Sequence, residues 1–109
     1  MKIGTGIYKE PLYDSVVVTC ATGEPAVNTI TVDTDKRWFI HALGITCDVT
    51  IDYVKFDGNN IGLTATVTLD EIFGKDLPAD DSIQVACVTN DGESAVTLTV
   101  ALKGYKVAK

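Results

Sequence analysis

Two nine-residue stretches, 61–69 and 94–102, alternate threonine with aliphatic residues and carry no charge. In a β-strand successive side chains point to opposite faces. The first stretch therefore sets Ile61, Leu63, Ala65, Val67 and Leu69 against Thr64, Thr66 and Thr68; the second sets Val96, Leu98, Val100 and Leu102 against Thr97 and Thr99. Further strands are predicted at 15–20, 27–33, 37–43, 48–56 and 82–89. Residues 37–43 are apolar on both faces, which predicts a central strand covered on both sides, with Gly44 placed for a bulge or bend. The strand beginning at Asp48 starts as clean alternation, then turns apolar on its other face at Val54 and Phe56.

Turn chemistry divides these runs. Asp57-Gly58-Asn59-Asn60 is the strongest hairpin signal, and Asn90-Asp91-Gly92-Glu93 predicts a second hairpin leading into 94–102. Thr68-Leu69-Asp70-Glu71 has the spacing of a capping box, and Gly74 suits a helix stop, so one short helical turn is predicted at 70–74. Residues 1–13, interrupted by Gly4, Gly6 and Pro11, read as an extended N-terminal arm with Ile3, Ile7, Tyr8, Leu12 and Tyr13 as apolar points. The expectation is an all-β chain: the arm, then one antiparallel β-sandwich of seven to eight strands over 14–109.

Charge sharpens this picture. The chain has 109 residues, enough for one domain that buries roughly 65% of its unfolded surface without disulfides or metal. Its net charge of −6 opposes a phosphate backbone, so nucleic acid is not expected as a partner. The lysines gather toward both ends, while the body between them is strongly acidic. No run approaches a membrane span and the N-terminus lacks an apolar signal core, so a chain made in the cytoplasm, without a signal peptide or transmembrane segment, is expected. Three cysteines, Cys20, Cys47 and Cys87, lack paired spacing and read as buried reduced thiols.

Candidate chemistry is sparse. His41, the only histidine, lies between Ile40 and Ala42 and reads as packed and hydrogen-bonded rather than catalytic. Ser15, Ser82 and Ser94 lack nucleophile-elbow glycines. Four Cys and His residues scattered at 20, 41, 47 and 87 do not make a zinc site. Acidic turns at Asp33/Asp35, Asp57, Asp80/Asp81 and Asp91/Glu93 carry a calcium alternative. Trp38 reads as core, which leaves Tyr53 and Tyr105 as the aromatics free for a carbohydrate alternative. No enzyme and no cofactor is expected.

The runs 38–47, 61–69, 82–90 and 94–102 have no formal charge, although lone β-domains normally guard their faces and edges with charge. Threonine faces desolvate cheaply when their hydroxyls pair across strands. A cyclic homo-oligomer, such as a trimer, is therefore expected, with Thr64, Thr66, Thr68, Thr97, Thr99, Ile7, Tyr8, Leu12 and Tyr13 as candidate interface residues.

A sequence of features between Thr31 and Tyr105 carries a resemblance: the strand entered through Lys36-Arg37-Trp38-Phe39-Ile40-His41, the Lys55-Phe56-Asp57-Gly58 hairpin, the 68–74 turn, Leu77-Pro78-Ala79-Asp80-Asp81-Ser82, and Leu102-Lys103-Gly104-Tyr105. In this order the chain resembles small β-sandwich proteins of phage virions, often single jelly rolls and often trimeric, which decorate or cement the head or build spikes and fibres. The resemblance implies a non-enzymatic structural role in the virion, self-association, a major capsid protein as a further partner, and arms that reach neighbours. Seven strands are read where a jelly roll has eight, which keeps an immunoglobulin-like sandwich as the alternative fold. A carbohydrate- or calcium-binding β-sandwich module is the alternative function.

Overall fold

The computed structural model describes residues 9–46, 49–62 and 69–109, with the backbone alone for 69–71. Eight strands follow in order among the described residues: β1 (Glu10–Cys20), β2 (Ala26–Thr31), β3 (Lys36–Thr46), β4 (Ile51–Phe56), β5 (Asn59–Asn60), β6 (Leu69–Ala79), β7 (Ser82–Cys87) and β8 (Val96–Ala108). They form two antiparallel four-stranded sheets, β1-β8-β3-β6 and β2-β7-β4-β5, packed face to face. Only the β4–β5 turn stays within one sheet; every other connection crosses to the opposite sheet. This is the double-sheet strand order of a jelly roll. It departs from the immunoglobulin-like alternative, in which the first two strands share a sheet.

The inward register explains the pairing. Leu12, Val16, Val18 and Cys20 of β1 and Leu98, Val100 and Leu102 of β8 meet Ile83, Val85 and Cys87 of β7 and Ile51, Val54 and Phe56 of β4 in one buried core. Fully burying each such side chain contributes roughly 1.5–3 kcal/mol. Trp38 joins this core, as the sequence predicts, with its indole Nε1 buried.

Two strands switch their inward parity midway. In β3, Trp38 and Ile40 are buried, and then Leu43 and Ile45. The switch is a β-bulge: Ile40 pairs with Gly104 and Ala42 with Lys103, so His41 is the extra residue. On the other side Ile40 pairs with Leu77 and Ala42 with Ile72, so residues 73–76 of β6 face His41 alone. In β4, Ile51 pairs with Cys87 and Tyr53 with Ala86, which makes Asp52 the extra residue and moves the buried positions from Ile51 to Val54 and Phe56. The two-faced apolar character of these runs thus comes from bulges, not from cover on both sides, and the β3 bulge falls at His41 instead of Gly44. Bulges of this kind insert one unpaired residue and re-aim the side chains after it.

Two local expectations are corrected, and a third falls largely outside the described residues. Residues 70–74 are not a helical turn, because β6 runs straight through them; long-range pairing with β3 overrides the local capping pattern. Residues 90–93 do not close a hairpin, because β7 and β8 belong to different sheets. Asn90 is buried there. Its side-chain amide donates to the carbonyls of Cys20 (2.9 Å) and Ser94 (3.0 Å), and its Oδ1 accepts the Gly92 N–H at 2.9 Å. The predicted strand 61–69 lies largely outside the described residues; Ile61 and Gly62 are in a loop and Leu69 opens β6.

The Asp57-Gly58 hairpin is present. Both residues have positive φ, 54° and 84°, as a two-residue type I′ turn requires. The Asp57 carboxylate accepts the backbone N–H groups of Asp80 (2.9 Å), Asp81 (2.7 Å) and Ser82 (3.1 Å), clamping the β6–β7 turn against the β4–β5 turn.

At the β3 bulge the backbones crowd. A Cβ on Gly104 would lie 1.9 Å from the Phe39 carbonyl oxygen and 2.9 Å from its carbon. Gly104→Ala is expected to lower the unfolding free energy by about 3 kcal/mol, because backbone and not a flexible side chain must give way. Urea unfolding followed by circular dichroism measures this; a loss no larger than that of an exposed-strand alanine would contradict the steric account.

Candidate functional site

The outer face of the β1-β8-β3-β6 sheet is divided in two by the His41 bulge. On one side the outward register holds Ser15, Val17 and Thr19 of β1, Thr97, Thr99 and Ala101 of β8, and Ala42, Gly44 and Thr46 of β3. None of these is charged, and Val17 is 44% exposed, while Asp70 of β6 holds the register position beside Gly44. Tyr13 and Lys103, paired across β1 and β8, close this half together with Ile72, which pairs with Ala42. Tyr13 and Ile72 are 80% and 71% exposed.

On the other side the face carries aromatic and basic side chains. Phe39 and Tyr105 are paired across β3 and β8, and their rings stack at 5.1 Å with 20° between planes. The Lys9 ammonium lies 4.7 Å from the centre of the Tyr105 ring. With Arg37, Val107, Ala108 and Lys109 these residues line a groove of about 530 Å3. A second depression beside it, sharing Tyr105, is lined by Tyr13, His41, Asp76, Lys103 and Gly104.

The two depressions are joined by hydrogen bonds that the bulge creates. His41 is not packed inside; its side chain is 60% exposed, and its Nδ1 lies 3.2 Å from Asp76 Oδ1. The extra residues of β6 bring Asp76 to this point. A hydrogen bond between the Tyr105 phenol and Asp76, reinforced by desolvation and by the nearby negative charge, raises the phenol above its ordinary value. Arg37 grips Asp80 through Nε–Oδ1 and Nη2–Oδ2 contacts of 2.6 and 3.0 Å. That hydrogen-bonded pair holds the Asp80 carboxyl below its ordinary value against the opposing effect of desolvation, and raises the guanidinium.

The other sequence candidates are placed as follows. Thr97 is exposed and Thr99 half-buried on the uncharged half, while Leu12 lies in this chain's own core. Ile7, Tyr8, Thr64, Thr66 and Thr68 lie outside the described residues, as does Cys47. Within the expected arm, Glu10–Tyr13 form the start of β1 and pair with Lys103–Lys106. Cys20 and Cys87 are buried thiols. Three acids of the calcium alternative have structural partners: Asp57 holds the β6–β7 turn, Asp80 holds Arg37, and Asp33 lies 3.8 Å from Lys106. No group of three or more His, Cys, Asp or Glu among the described residues is arranged to hold a metal ion. Tyr53, the other free aromatic, is half-buried with the Lys55 ammonium 4.3 Å from its ring centre.

Sequence reasoning missed the cluster of Lys9, Phe39, Asp76 and Lys103 around Tyr105. Its signal was the placement of cations near residues 9, 37, 75 and 103–109, which stay far apart in the chain until β1, β3, β6 and β8 are set side by side. No helix among the described residues is long and apolar enough to cross a membrane. Comparison with protein-family models, with curated proteins and with solved structures finds no match.

Two titrations check the electrostatics. Asp76→Asn is expected to bring the Tyr105 midpoint down toward the ordinary tyrosine value near about 10, read by ultraviolet difference absorbance; an unmoved midpoint would rule out the Asp76 cause. Folding lowers the Asp80 pKa, so the stabilisation from its Arg37 pair is complete above the ordinary aspartate value and disappears as pH falls through the folded one. Arg37→Gln is expected to shift the Asp80 carboxyl titration upward, observed by carboxyl-carbon NMR, and to remove that acid-side pH dependence.

Proposed function

We propose that this chain is a non-catalytic structural component of a virus particle, a decoration, cement or spike subunit of a phage head, and that it acts as a homo-oligomer. The observation that carries the reading is the run of uncharged outward residues of β1, β8 and β3 on this half of the outer sheet face, bounded by the exposed Tyr13 and Ile72 and by the register position of Asp70 in β6. A solvated sheet face normally carries charges that keep it from sticking. Here threonine, serine, alanine, glycine and valine offer a flat surface that loses little on desolvation and brings no charge to bury. A cyclic assembly buries such a repeated patch without leaving a copy of it open. Double-sheet jelly rolls recur in viral capsid domains, which supports the virion setting together with the order of features that resembles phage head proteins. A major capsid protein is the expected further partner.

Val17→Lys and Ala101→Lys place a charge in the middle of this half without touching the core. Each is expected to convert an oligomer of the native chain into monomer at micromolar concentration, in sedimentation velocity runs at 0.5 M salt. A native chain that sediments as a monomer there, or variants that associate as the native chain does, would refute the contact. Electron microscopy of particles from an infected culture tests the setting: density for this chain on the head is expected, and its recovery only as free protein in the lysate would refute the virion assignment.

A further inference from the structure

The aromatic half of the outer sheet face is ordered in rows. Pro11 pairs with Tyr105, Tyr105 with Phe39, and Phe39 with Pro78, so one row of ring-bearing residues crosses β1, β8, β3 and β6. Leu12, Trp38, Ile40 and Ala79, their neighbours along the strands, are buried, which turns the row outward. Polar residues flank it on both sides. Lys9, Arg37 and Lys109 line the groove on one flank; Lys103, His41 and Asp76 line the depression on the other, and Tyr105 belongs to both.

Most cations of this region are already committed. Lys36 lies 3.8 Å from Glu10, Lys106 lies 3.8 Å from Asp33, and Arg37 grips Asp80. The Lys109 ammonium donates to the Asp80 carbonyl at 3.4 Å. Lys9 and Lys103 differ. Both are exposed, and neither has a carboxylate partner among the described residues; Lys9 rests on the Tyr105 ring. They stand on opposite flanks of the row. Lys103 and Val107, which lines the groove with Lys9, are separated by about 13 Å at the rise of a strand.

We propose that this face binds an acidic saccharide, a chain of sugars bearing carboxylates, laid along β8 from Lys103 to Lys9 across the Tyr105 row. The mixture of groups selects this class. The C–H faces of sugar rings pack on aromatic and proline surfaces, which have little other use for exposure to water. The carboxylates meet Lys103 and Lys9, and drawing Lys9 aside uncovers the Tyr105 ring. The hydroxyls donate to Asp76, whose carboxylate also accepts from the Tyr105 phenol and lies 3.2 Å from His41 Nδ1. A bare polyanion offers Asp76 no O–H group and is repelled by it. An apolar peptide would leave two ammonium groups buried and unpaired. The site stands on these residues alone and does not rest on the structural role proposed above.

Oligogalacturonate and oligosialate are the probes, titrated into the full chain in about 0.1 M salt and followed by calorimetry and by the ring NMR signals of His41, the only histidine. Saturable binding of at least one probe, with movement of the His41 signals, is expected. An uncharged galactose oligomer of equal length is expected to bind at least about tenfold more weakly. Lys9→Gln and Lys103→Gln are each expected to weaken binding by about three- to tenfold, and Tyr105→Ala to weaken it further. Tyr105→Leu replaces the alanine variant if circular dichroism shows that one unfolded. Lys55→Gln, on the other sheet, is expected to leave binding unchanged. Asp76→Asn separates a saccharide from a plain anion: it is expected to weaken saccharide binding, whereas removal of a repelling charge would strengthen binding of polyglutamate. Failure of both probes to bind, polyglutamate binding as tightly as they do, or an affinity indifferent to Lys9, Lys103 and Tyr105 would each overturn the inference. So would loss of self-association in Lys9→Gln or Lys103→Gln without saccharide binding, which would assign the face to a second copy of the chain.

Discussion

The close approach of Gly104 to the Phe39 carbonyl is the constraint on which the rest of the first sheet depends. Without a side chain at that point, β8 can lie against β3 while β3 accommodates one extra residue. That extra residue, His41, lets the strand bury Trp38 and Ile40 in its first half and Leu43 and Ile45 in its second. A strand without the bulge would keep one parity and expose one of these pairs. The same offset turns Phe39, His41 and Ala42 outward together, so the packing of the core and the character of the surface are set by one backbone event.

The surface consequences extend to the edges. β1 is an edge strand, and edge strands invite unwanted pairing. Here Asn28 of β2 donates its side-chain amide to the Val17 carbonyl at 2.8 Å. Asp14, which shares the register of Leu12 and Val16, is exposed and places a charge where a pairing strand would need an apolar side chain. The lateral edge is therefore guarded while the broad face beside it is left uncharged. Protection and permissiveness lie within one strand of each other, which favours contacts through the face over extension of the sheet.

Much of this was legible in the chain. Period-two alternation located most strands, and Asp57-Gly58 identified the one turn that stays within a sheet. The double-apolar stretches at 38–43 and 49–56 were also informative, but their physical meaning was a parity change: in each case the inward set moves from one alternation to the other across a single polar residue, His41 or Asp52. Local signals failed where partners distant in sequence decide. The capping pattern at 68–71 gave way to pairing with β3, and the turn chemistry at 90–93 proved to be an arch between sheets, its curvature held by the buried Asn90. The groove around Tyr105 was hidden for the same reason. Its residues come from four strands spread over nearly the whole chain, and no window of sequence brings Lys9, Phe39, Asp76 and Tyr105 together.

The position of β8 between β1 and β3 has a consequence in time. β8 follows all the other strands in the chain, so during synthesis β1 and β3 emerge and must wait, each lacking the neighbour that completes its hydrogen bonds. Ladders that join residues as distant as Glu10 and Lys106 close late and slowly. Neither the uncharged half of the face nor the aromatic groove exists before β8 is threaded between them. A nascent chain on the ribosome thus has no finished outer face, and the fold completes its surface only as it completes its core.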